Sequence, residues 1–296
     1  MKEIYGGIEA GGTKFVCAVG ANPNEIYDEI RFPTTTPEKT IQQCIEYFEM
    51  QKEKYEINSI GIGSFGPLDL RKKSPTYGYI TKTNKSGWTD TDFLGLLKNG
   101  LNLPIVIDTD VNVATLGEYY WGAGNKLSDF IYITVGTGIG GGAMVNDKLL
   151  HGFNHPEMGH ILIPYDKESD PFESVCNFHK DCLEGLASGP AIEKRWDVKA
   201  ESLAIDHDAW ELQADFLAKA LMNYILILAP KRIILGGGVM EQNQLFPIVR
   251  KKVKEYLNEY ISISEVVDNL DEYIVPPKLG NRAGILGAIA LAKFNK

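Results

Sequence analysis

Four residues in the middle of the chain have the types and spacing of a metal-binding site. Cys176, His179 and Cys182 follow one another at intervals of three residues, and His160 precedes them. A short turn can place thiolate and imidazole groups at this spacing around one tetrahedral zinc ion. Because four protein ligands leave no position for a water molecule, the sequence predicts a structural zinc site rather than a catalytic one.

Two glutamates flank the predicted ligands. Glu157 lies three residues before His160, and Glu184 lies two residues after Cys182. A loop organised by zinc would therefore bring both carboxylates to one place. Paired carboxylates accept hydrogen bonds from adjacent hydroxyl groups and discriminate against ligands that cannot provide them, which favours a sugar-binding site. The alternative is that each is an ordinary surface glutamate.

Two glycine-rich turns, each between strand-like segments, are candidate phosphate-binding sites. They are Glu9-Ala10-Gly11-Gly12-Thr13-Lys14 and Gly136-Thr137-Gly138-Ile139-Gly140-Gly141-Gly142. Glycines permit positive φ and let backbone N–H groups approach an anion, while Thr13, Lys14 and Thr137 add side-chain donors. The second turn contains a G-x-G-x-x-G pattern, but a strand-like segment follows it instead of a helix, so it is not a dinucleotide-binding fingerprint. The alternative for each is a tight turn without a ligand.

Asp110 is the candidate general base. It follows the apolar strand Ile105–Ile107 and precedes the helical segment Val111–Trp121, and residues at strand ends of α/β proteins point into ligand crevices. Transfer of a phosphoryl group to a sugar hydroxyl needs a base for the hydroxyl proton, Mg²⁺ to neutralise phosphate charge, and a cleft that excludes water. Alternatively, Asp110 caps the helix. Asp108 is the nearest competing carboxylate, and Asn112 is a second polar candidate.

Strand-like and helical segments alternate along the rest of the chain, which predicts an α/β fold with mixed sheets. The further predicted elements are helices at 38–55, 212–229, 243–260 and 281–293 and strands at 57–62 and 232–235. The duplicated glycine turns predict two domains. The first comprises residues 1–117 and is completed by a returning helix at 281–296; the second comprises residues 118–280 and carries the zinc loop.

Composition limits the class of protein. With 296 residues, 44% of them hydrophobic, the chain is long enough for two globular domains. The formal net charge of -9 argues against a nucleic-acid partner. Met1–Tyr5 has no leader-like pattern, and the most apolar stretch, Tyr224–Pro230, is too short to cross a bilayer. Since Cys17 and Cys44 lie in predicted elements and the other cysteines in the zinc loop, a disulfide framework is not expected, which predicts a cytoplasmic protein without a membrane partner.

Several segments together resemble the ROK family of bacterial sugar kinases. In chain order they are Glu9–Lys14, Thr109–Asn112, Gly136–Gly142, Glu157–His160 and Leu235–Val239. The segments Ser64–Asp69 and Lys82–Trp88 and the Cys-His-Cys loop look most like the fructokinase branch. The resemblance implies the two-domain actin-like and hexokinase (ribonuclease H-like) fold with a nucleotide and sugar cleft between the domains. It also implies ATP with Mg²⁺ and phosphorylation of D-fructose at its 6-hydroxyl.

The resemblance also implies roles for individual residues. Asp110 would be the general base. The sugar would be contacted by Asn112, Glu157, His160 and Glu184, with His160 also binding zinc. The residues implied to bind the nucleotide are Gly11, Gly12, Thr13, Lys14, Thr137, Gly138, Ser188, Gly236, Gly237, Gly238, Val239 and Met240. The chain departs from the common family pattern at Glu9, Thr109 and His179, where aspartate, asparagine and cysteine are more usual.

Other functions remain open at this point. The partners implied by the resemblance are a hexose and ATP, and a homodimer is common in the family. The chain could instead be a hexokinase of broader specificity acting on mannose or glucose. A sugar-responsive regulator of the same family would carry an N-terminal helix-turn-helix, whereas this chain begins its first strand at about Ile4. An ATP-hydrolysing scaffold would not need a zinc-organised pair of glutamates.

Overall fold

The computed structural model describes residues 3–168 and 170–294, so residues 1–2 and 295–296 of the predicted domain ranges lie outside the described residues. The strands are β1 (Ile4–Ala10), β2 (Lys14–Asn22), β3 (Glu25–Pro33), β4 (Ile57–Ser64), β5 (Ile105–Thr109), β6 (Phe130–Val135), β7 (Ile139–Val145), β8 (Lys148–Leu149), β9 (Ile233–Gly236) and β10 (Ile274–Val275). The α-helices are α1 (Pro37–Lys52), α2 (Phe93–Gly100), α3 (Asp110–Trp121), α4 (Leu183–Ala187), α5 (Gly189–Trp196), α6 (Ala209–Leu228), α7 (Leu245–Leu257), α8 (Ser264–Val267), α9 (Leu270–Tyr273) and α10 (Ala283–Phe294). Among the described residues, none of the helices combines the length and apolar character needed to cross a lipid bilayer.

The chain divides into two compact units. The first contains the described residues up to Lys126, the segment Leu149–Pro156 and the residues from Asn281 onward; the second contains Leu127–Lys148 and Glu157–Gly280. The division therefore falls after Lys126, beyond the end of α3. The sequence analysis had predicted it after residue 117. The return of Leu149–Pro156 to the first unit has no counterpart in the sequence prediction.

The first unit is built on a five-stranded sheet in the order β3-β2-β1-β4-β5. β2 runs antiparallel to both β1 and β3, and β4 runs parallel to both β1 and β5. In the parallel part Ala10 pairs with Ser64, and Ser64 pairs with Thr109. The carboxyl ends of β1, β4 and β5 therefore lie side by side at one edge, which places the first glycine turn and Asp110 at that edge.

Helix α10 packs on this sheet at unusually short range. A Cβ atom at Gly61 would lie 2.1 Å from the carbonyl oxygen of Ala288, and one at Gly7 would lie 3.1 Å from that of Ile285. Glycine is required at Gly61 because a side chain there would overlap the helix backbone. The helix is buried along almost its whole length, as its Ala-, Gly- and Leu-rich sequence predicts.

Aromatic residues fill the hydrophobic core of the first unit. Trp88 is fully buried, and its ring centroid lies 5.7 Å from that of Phe15 and 6.0 Å from that of Phe93. Its indole N–H donates to the carbonyl oxygen of Thr35 at 2.8 Å. The Lys82–Trp88 segment is thus anchored in the core by its last residue.

The second unit repeats the plan with a sheet in the order β10-β9-β6-β7-β8. β6 and β7 form an antiparallel hairpin, and β9 runs parallel to β6 with Thr134 paired to Gly236. The second glycine turn and the Gly237 turn therefore lie at the same edge of this sheet. The predicted turn was too long, because Gly140–Gly142 belong to β7. A side chain at Gly141 would contact Ile133 and Met158, so this glycine makes room for packing within the sheet.

Most predicted elements are confirmed within a few residues, but β3 and α2 were not predicted. β3 lies at the edge of its sheet, and its mostly half-exposed residues show no clear alternation. α2 spans eight residues, which is too short for helical periodicity to stand out. Edge strands and short helices receive their stability from packing, which the local pattern does not record.

A buried carboxylate organises the loop that follows β4. Asp69 is 2% exposed and accepts hydrogen bonds from the guanidinium of Arg71 at 2.8 and 2.7 Å. The hydroxyl groups of Ser74 and Thr76 donate to it at 2.6 and 2.7 Å. The Arg71 guanidinium and these hydroxyls hold the pKa of the Asp69 carboxyl well below its usual range. The ionised form of Asp69 therefore stabilises the folded state.

We expect Asp69→Asn to lower the free energy of unfolding at pH 7 by about 2–4 kcal/mol, because a buried, charge-assisted network loses its acceptor. Since the folded-state pKa is lowered, the contribution of Asp69 is fully present above its unfolded pKa of about 3.9 and declines as pH falls below it. Urea unfolding at pH 7 and pH 3 measures both effects. Asp90→Asn, at an exposed aspartate of the same region, is the matched control. A difference between wild type and Asp69→Asn that does not shrink at pH 3 would contradict this account.

Candidate functional site

The first glycine turn is supported from beneath by a residue that the sequence did not single out. The Thr34 hydroxyl donates to the carbonyl oxygen of Gly11 at 2.7 Å, and the Thr34 N–H donates to that of Thr13 at 3.0 Å. Thr34 is 8% exposed, whereas the side chains of Thr13 and Lys14 are exposed. The turn is held on its buried side and presents its hydroxyl and ammonium donors outward, as a phosphate site requires.

Two glycines of the hairpin turns, Gly11 and Gly138, are needed for close approach rather than for left-handed backbone. Among the described glycines, φ between +20° and +160° occurs at Gly78, Gly87, Gly237 and Gly280. The glycines of the two hairpin turns do not use the left-handed backbone that glycine permits. A Cβ atom at Gly11 would lie 2.9 Å from the carbonyl oxygen of Lys14, and one at Gly138 would lie 2.7 Å from a carboxylate oxygen of Glu184.

Glu9 lies against the first turn of α10. Its carboxylate accepts a hydrogen bond from the backbone N–H of Ile285, and a side chain at Gly284 would collide with it. Burial raises the pKa of Glu9, while the charges of Lys14 and Arg31 act in the opposite direction. Glu9, which stands where aspartate is more usual in the family, therefore links the first glycine turn to the start of α10.

Asp110 is the first residue of α3, and the preceding residue is the helix cap. The Thr109 side chain accepts a hydrogen bond from the N–H of Asn112 at 3.2 Å, so Thr109 is the N-cap. One carboxylate oxygen of Asp110 accepts from the N–H of Val111 at 2.9 Å. The alternative prediction, that Asp110 caps the helix, is therefore wrong, because Thr109 has that role.

Asn112 stays a candidate sugar contact by prediction only. It is fully buried, and its side-chain N–H₂ donates to Asp108 at 2.7 Å. A buried carboxylate one turn earlier takes its amide inward.

The four predicted zinc ligands lie together. The ligand atoms of His160, Cys176, His179 and Cys182 all lie within 4.8 Å of one another. Sγ of Cys176 is 3.9 Å from Nδ1 of His160 and 3.7 Å from Nδ1 of His179. Tetrahedral zinc with ordinary bond lengths separates sulfur from nitrogen by about 3.6 Å. Burial raises the pKa of Cys182 to about 12, so a thiolate there needs a cation. The donor set fits zinc.

Glu184 connects this cluster to the second glycine turn. One of its carboxylate oxygens accepts the N–H of Ile139 at 2.9 Å, and the other lies 3.9 Å from Nε2 of His160. Nδ1 of His160 therefore lies on the side of the predicted metal ligands, and its Nε2 lies on the side of Glu184.

The turn that carries Glu157 and His160 packs on the same hairpin. A Cβ atom at Gly159 would lie 1.7 Å from the carbonyl oxygen of Ile139. The hydroxyl of Tyr224, in α6, donates to the carbonyl oxygen of Met158. Glu157 is exposed beside this turn. The sequence did not single out Tyr224, because one phenol in a long apolar helix resembles a core residue.

Three glycine-containing segments converge beside the second turn. The N–H of Gly189, at the start of α5, donates to the carbonyl oxygen of Gly136 at 2.8 Å. A Cβ atom at Gly136 would lie 4.0 Å from the backbone nitrogen of Gly238. Gly237 adopts a φ of 91°. The backbone of Val135 occupies the space that a side chain at Gly237 would need.

Side chains complete this glycine-lined surface. Thr137 is exposed at the tip of the hairpin, and Val239 and Met240 are buried behind the third segment. Ser188 is fully buried, and within the described part of the chain its hydroxyl has no hydrogen-bond partner. Backbone N–H groups, a helix start and an unpaired hydroxyl are suited to a nucleotide.

The structure thus brings the predicted residues together in two sets. Asp110 and the first glycine turn lie at one sheet edge of the first unit. The four predicted zinc ligands, Glu184 and the second glycine turn form a continuous group in the second unit. Residues 5–295 match the ROK family. The chain belongs to the ROK family.

Known ROK proteins resemble the chain over its whole length. A fructokinase from Pediococcus pentosaceus is 45% identical over 98% of each chain, and a fructokinase from Zymomonas mobilis is 42% identical over 98% of this chain and 97% of its own. A ROK glucokinase from Streptomyces griseus, solved with glucose and AMPPNP, superposes with a TM-score of 0.79 at 24% identity and covers 98% of this chain and 99% of its own. The last comparison confirms the α/β fold of actin-like sugar kinases for this ROK chain.

Proposed function

We propose that this ROK protein is an ATP-dependent fructokinase that transfers the γ-phosphoryl group of ATP to the 6-hydroxyl of D-fructose. Identity of 42–45% to two fructokinases over nearly the whole chain supports the substrate. The observation that carries the reaction type is the common end of β1, β4 and β5. This common end supports the proposal, because neighbouring strands lie about 5 Å apart and the first glycine turn and Asp110 are therefore roughly 10 Å from each other.

Each set of residues has a proposed task. Asp110 accepts the proton of the 6-hydroxyl as that oxygen attacks phosphorus. Glu157 and Glu184 accept hydrogen bonds from the sugar hydroxyls, and His160 contacts the sugar while it binds zinc. Asn112 acts indirectly, by holding Asp108 beneath the corner that carries Asp110.

ATP is the proposed ligand of each glycine turn, and of Ser188 and the Gly236–Met240 segment on the adenosine side. Its phosphates would meet the hydroxyls of Thr13 and Thr137 and the ammonium of Lys14. Mg²⁺ bound with ATP would neutralise the phosphate charge.

The zinc site is proposed to be structural. His160, Cys176, His179 and Cys182 supply four ligands, so the ion would orient His160 and fix the loop that carries Glu184. Free cysteines and a nucleotide substrate favour a cytoplasmic location, and a homodimer stays a prediction from the family.

A coupled assay of ADP release across fructose, mannose and glucose tests the function. We expect kcat/KM for fructose to exceed that for either aldohexose by at least about tenfold, because a site built for one arrangement of hydroxyls leaves polar groups unpaired with another. Preference for glucose or mannose would replace fructokinase by a broader hexokinase. ADP release that is equally fast without sugar would replace kinase by ATPase.

A further inference from the structure

The segment Leu149–Pro156 is attached to the first unit through its side chains. The side-chain amide of Asn154 donates to the carbonyl oxygen of Leu68 at 2.8 Å, and its oxygen accepts from the N–H of Leu70 at 3.2 Å. Nε2 of His155 accepts from the N–H of Leu68 at 3.1 Å. These contacts hold the segment on the loop after β4 and do not involve the catalytic corner.

His151, in the same segment, makes a different contact. Its Nε2 lies 2.9 Å from Oδ2 of Asp108. Asp108 is 6% exposed. Its other carboxylate oxygen accepts from the N–H of Thr109 at 2.8 Å and from the side-chain amide of Asn112 at 2.7 Å. One carboxylate thus joins His151 to the residues on both sides of Asp110.

Both oxygens of the Asp108 carboxyl group take part in this network. Oδ1 of Asp108 accepts two hydrogen bonds, and Oδ2 faces an imidazole that can carry a positive charge. A nearly buried carboxylate is costly unless it is paired and hydrogen-bonded. Without His151 the Oδ2 oxygen would lose its partner, and a carboxylate that turns toward water instead disturbs the bonds to Thr109 and Asn112.

We propose that His151 is a positioning residue for phosphoryl transfer: acting through Asp108, it fixes the strand-to-helix corner between Thr109 and Asn112 from which Asp110 projects. The proposal rests on the proposed role of Asp110 as base. Thr109 is the cap of α3 and Asn112 belongs to its first turn, so the two bonds from Asp108 set where that helix begins. Catalysis is sensitive to such placement, since a misplacement of about 1 Å can cost on the order of a hundredfold in rate.

The charges around His151 favour its protonated form. The hydrogen bond with Asp108 raises the pKa of His151, while burial and the charge of Lys72 oppose this, and the carbonyl oxygen of Leu149 supports it. Burial and the charge of Asp108 raise the pKa of the Tyr77 phenol. Since the charged imidazole makes the stronger bond, the corner is held best below the raised pKa and less firmly as pH rises through it.

Three variants test the proposal. We expect His151→Ala to lower kcat about tenfold or more with KM for ATP changed by less than about twofold. His151→Gln, which keeps a side-chain donor, should recover most of kcat but lose the decline of kcat with rising pH. His155→Ala is the matched control, because it removes a histidine of the same segment that contacts Leu68 instead of Asp108. Equal kcat losses in His151→Ala and His155→Ala would show that the histidines only attach the segment and would overturn the proposal.

Hydrogen–deuterium exchange of peptides covering residues 105–115 gives a readout that does not depend on the substrate. Faster exchange in His151→Ala but not in His155→Ala supports positioning of the corner, whichever hexose the enzyme prefers. Unchanged exchange together with unchanged kcat overturns it. If the wild type prefers another hexose, the proposed function is wrong. The same comparison of kcat values, made with that hexose, still tests the role of His151.

Discussion

Asp110→Asn is expected to lower kcat for fructose phosphorylation by about a hundredfold to ten-thousandfold, the usual cost of removing a general base. An amide of the same size cannot accept the proton of the 6-hydroxyl. Affinity for ATP should change little, since the nucleotide is proposed to be held by the glycine turns. Steady-state kinetics for both substrates and calorimetric titration with an ATP analogue measure the two effects.

Asp108→Asn separates the base from its nearest competitor. Asp108 is 6% exposed and already bonded to His151, Thr109 and Asn112, so its substitution should impair positioning and stability more than proton transfer. If Asp110→Asn keeps more than about a tenth of wild-type kcat while Asp108→Asn loses nearly all of it, the base is Asp108.

Cys176→Ala is expected to remove zinc and to weaken fructose binding by about tenfold or more. Wild-type protein should contain about one zinc ion per chain, since the four donors close one coordination sphere. Without the ion, His160 loses its orientation beside Glu184, and the loop between them loses its cross-link. Metal analysis by mass spectrometry, thermal unfolding and the KM for fructose measure the three consequences.

Cys44→Ala is the matched control for this experiment, because Cys44 is buried in the core of the first unit beside Cys17, at 3.7 Å between sulfurs. It should keep full zinc content even where it lowers stability. Wild-type protein that contains no zinc when purified without chelator would contradict the structural zinc site. So would Cys176→Ala with unchanged stability and unchanged fructose affinity.

The sequence was most informative where the chemistry is local. The cysteines and histidine of the zinc loop lie within seven residues of one another, and ligand spacing alone sets where such groups can meet. His160 was the long-range member, but imidazole and thiolate are the expected partners of zinc. Asp110 could be placed at a strand end because the apolar run before it and the helical run after it are both plain in the sequence.

Contacts between distant segments could not be read in the same way. His151 and Asp108 are separated by 43 positions, and the pattern around His151 does not indicate that its segment returns to the first unit. The hydrogen bond from the Asn112 amide to Asp108 was not predicted either, because the sequence shows only a polar residue near a predicted base. Thr34 and Tyr224 were missed because each supports a backbone carbonyl, and such support leaves no sequence pattern.

The close packing of α10 on Gly7 and Gly61 has a consequence for synthesis on the ribosome. The second unit is encoded entirely before residue 281, whereas the first unit waits for the helix that covers its sheet. The strands of the first unit emerge early and must remain without that cover while some 150 intervening residues are translated, at about 5–20 residues per second. The second unit is therefore expected to complete its folding before the first unit, although the first unit begins to be synthesised earlier. Chaperones would bind the nascent chain at the exposed face of the first sheet.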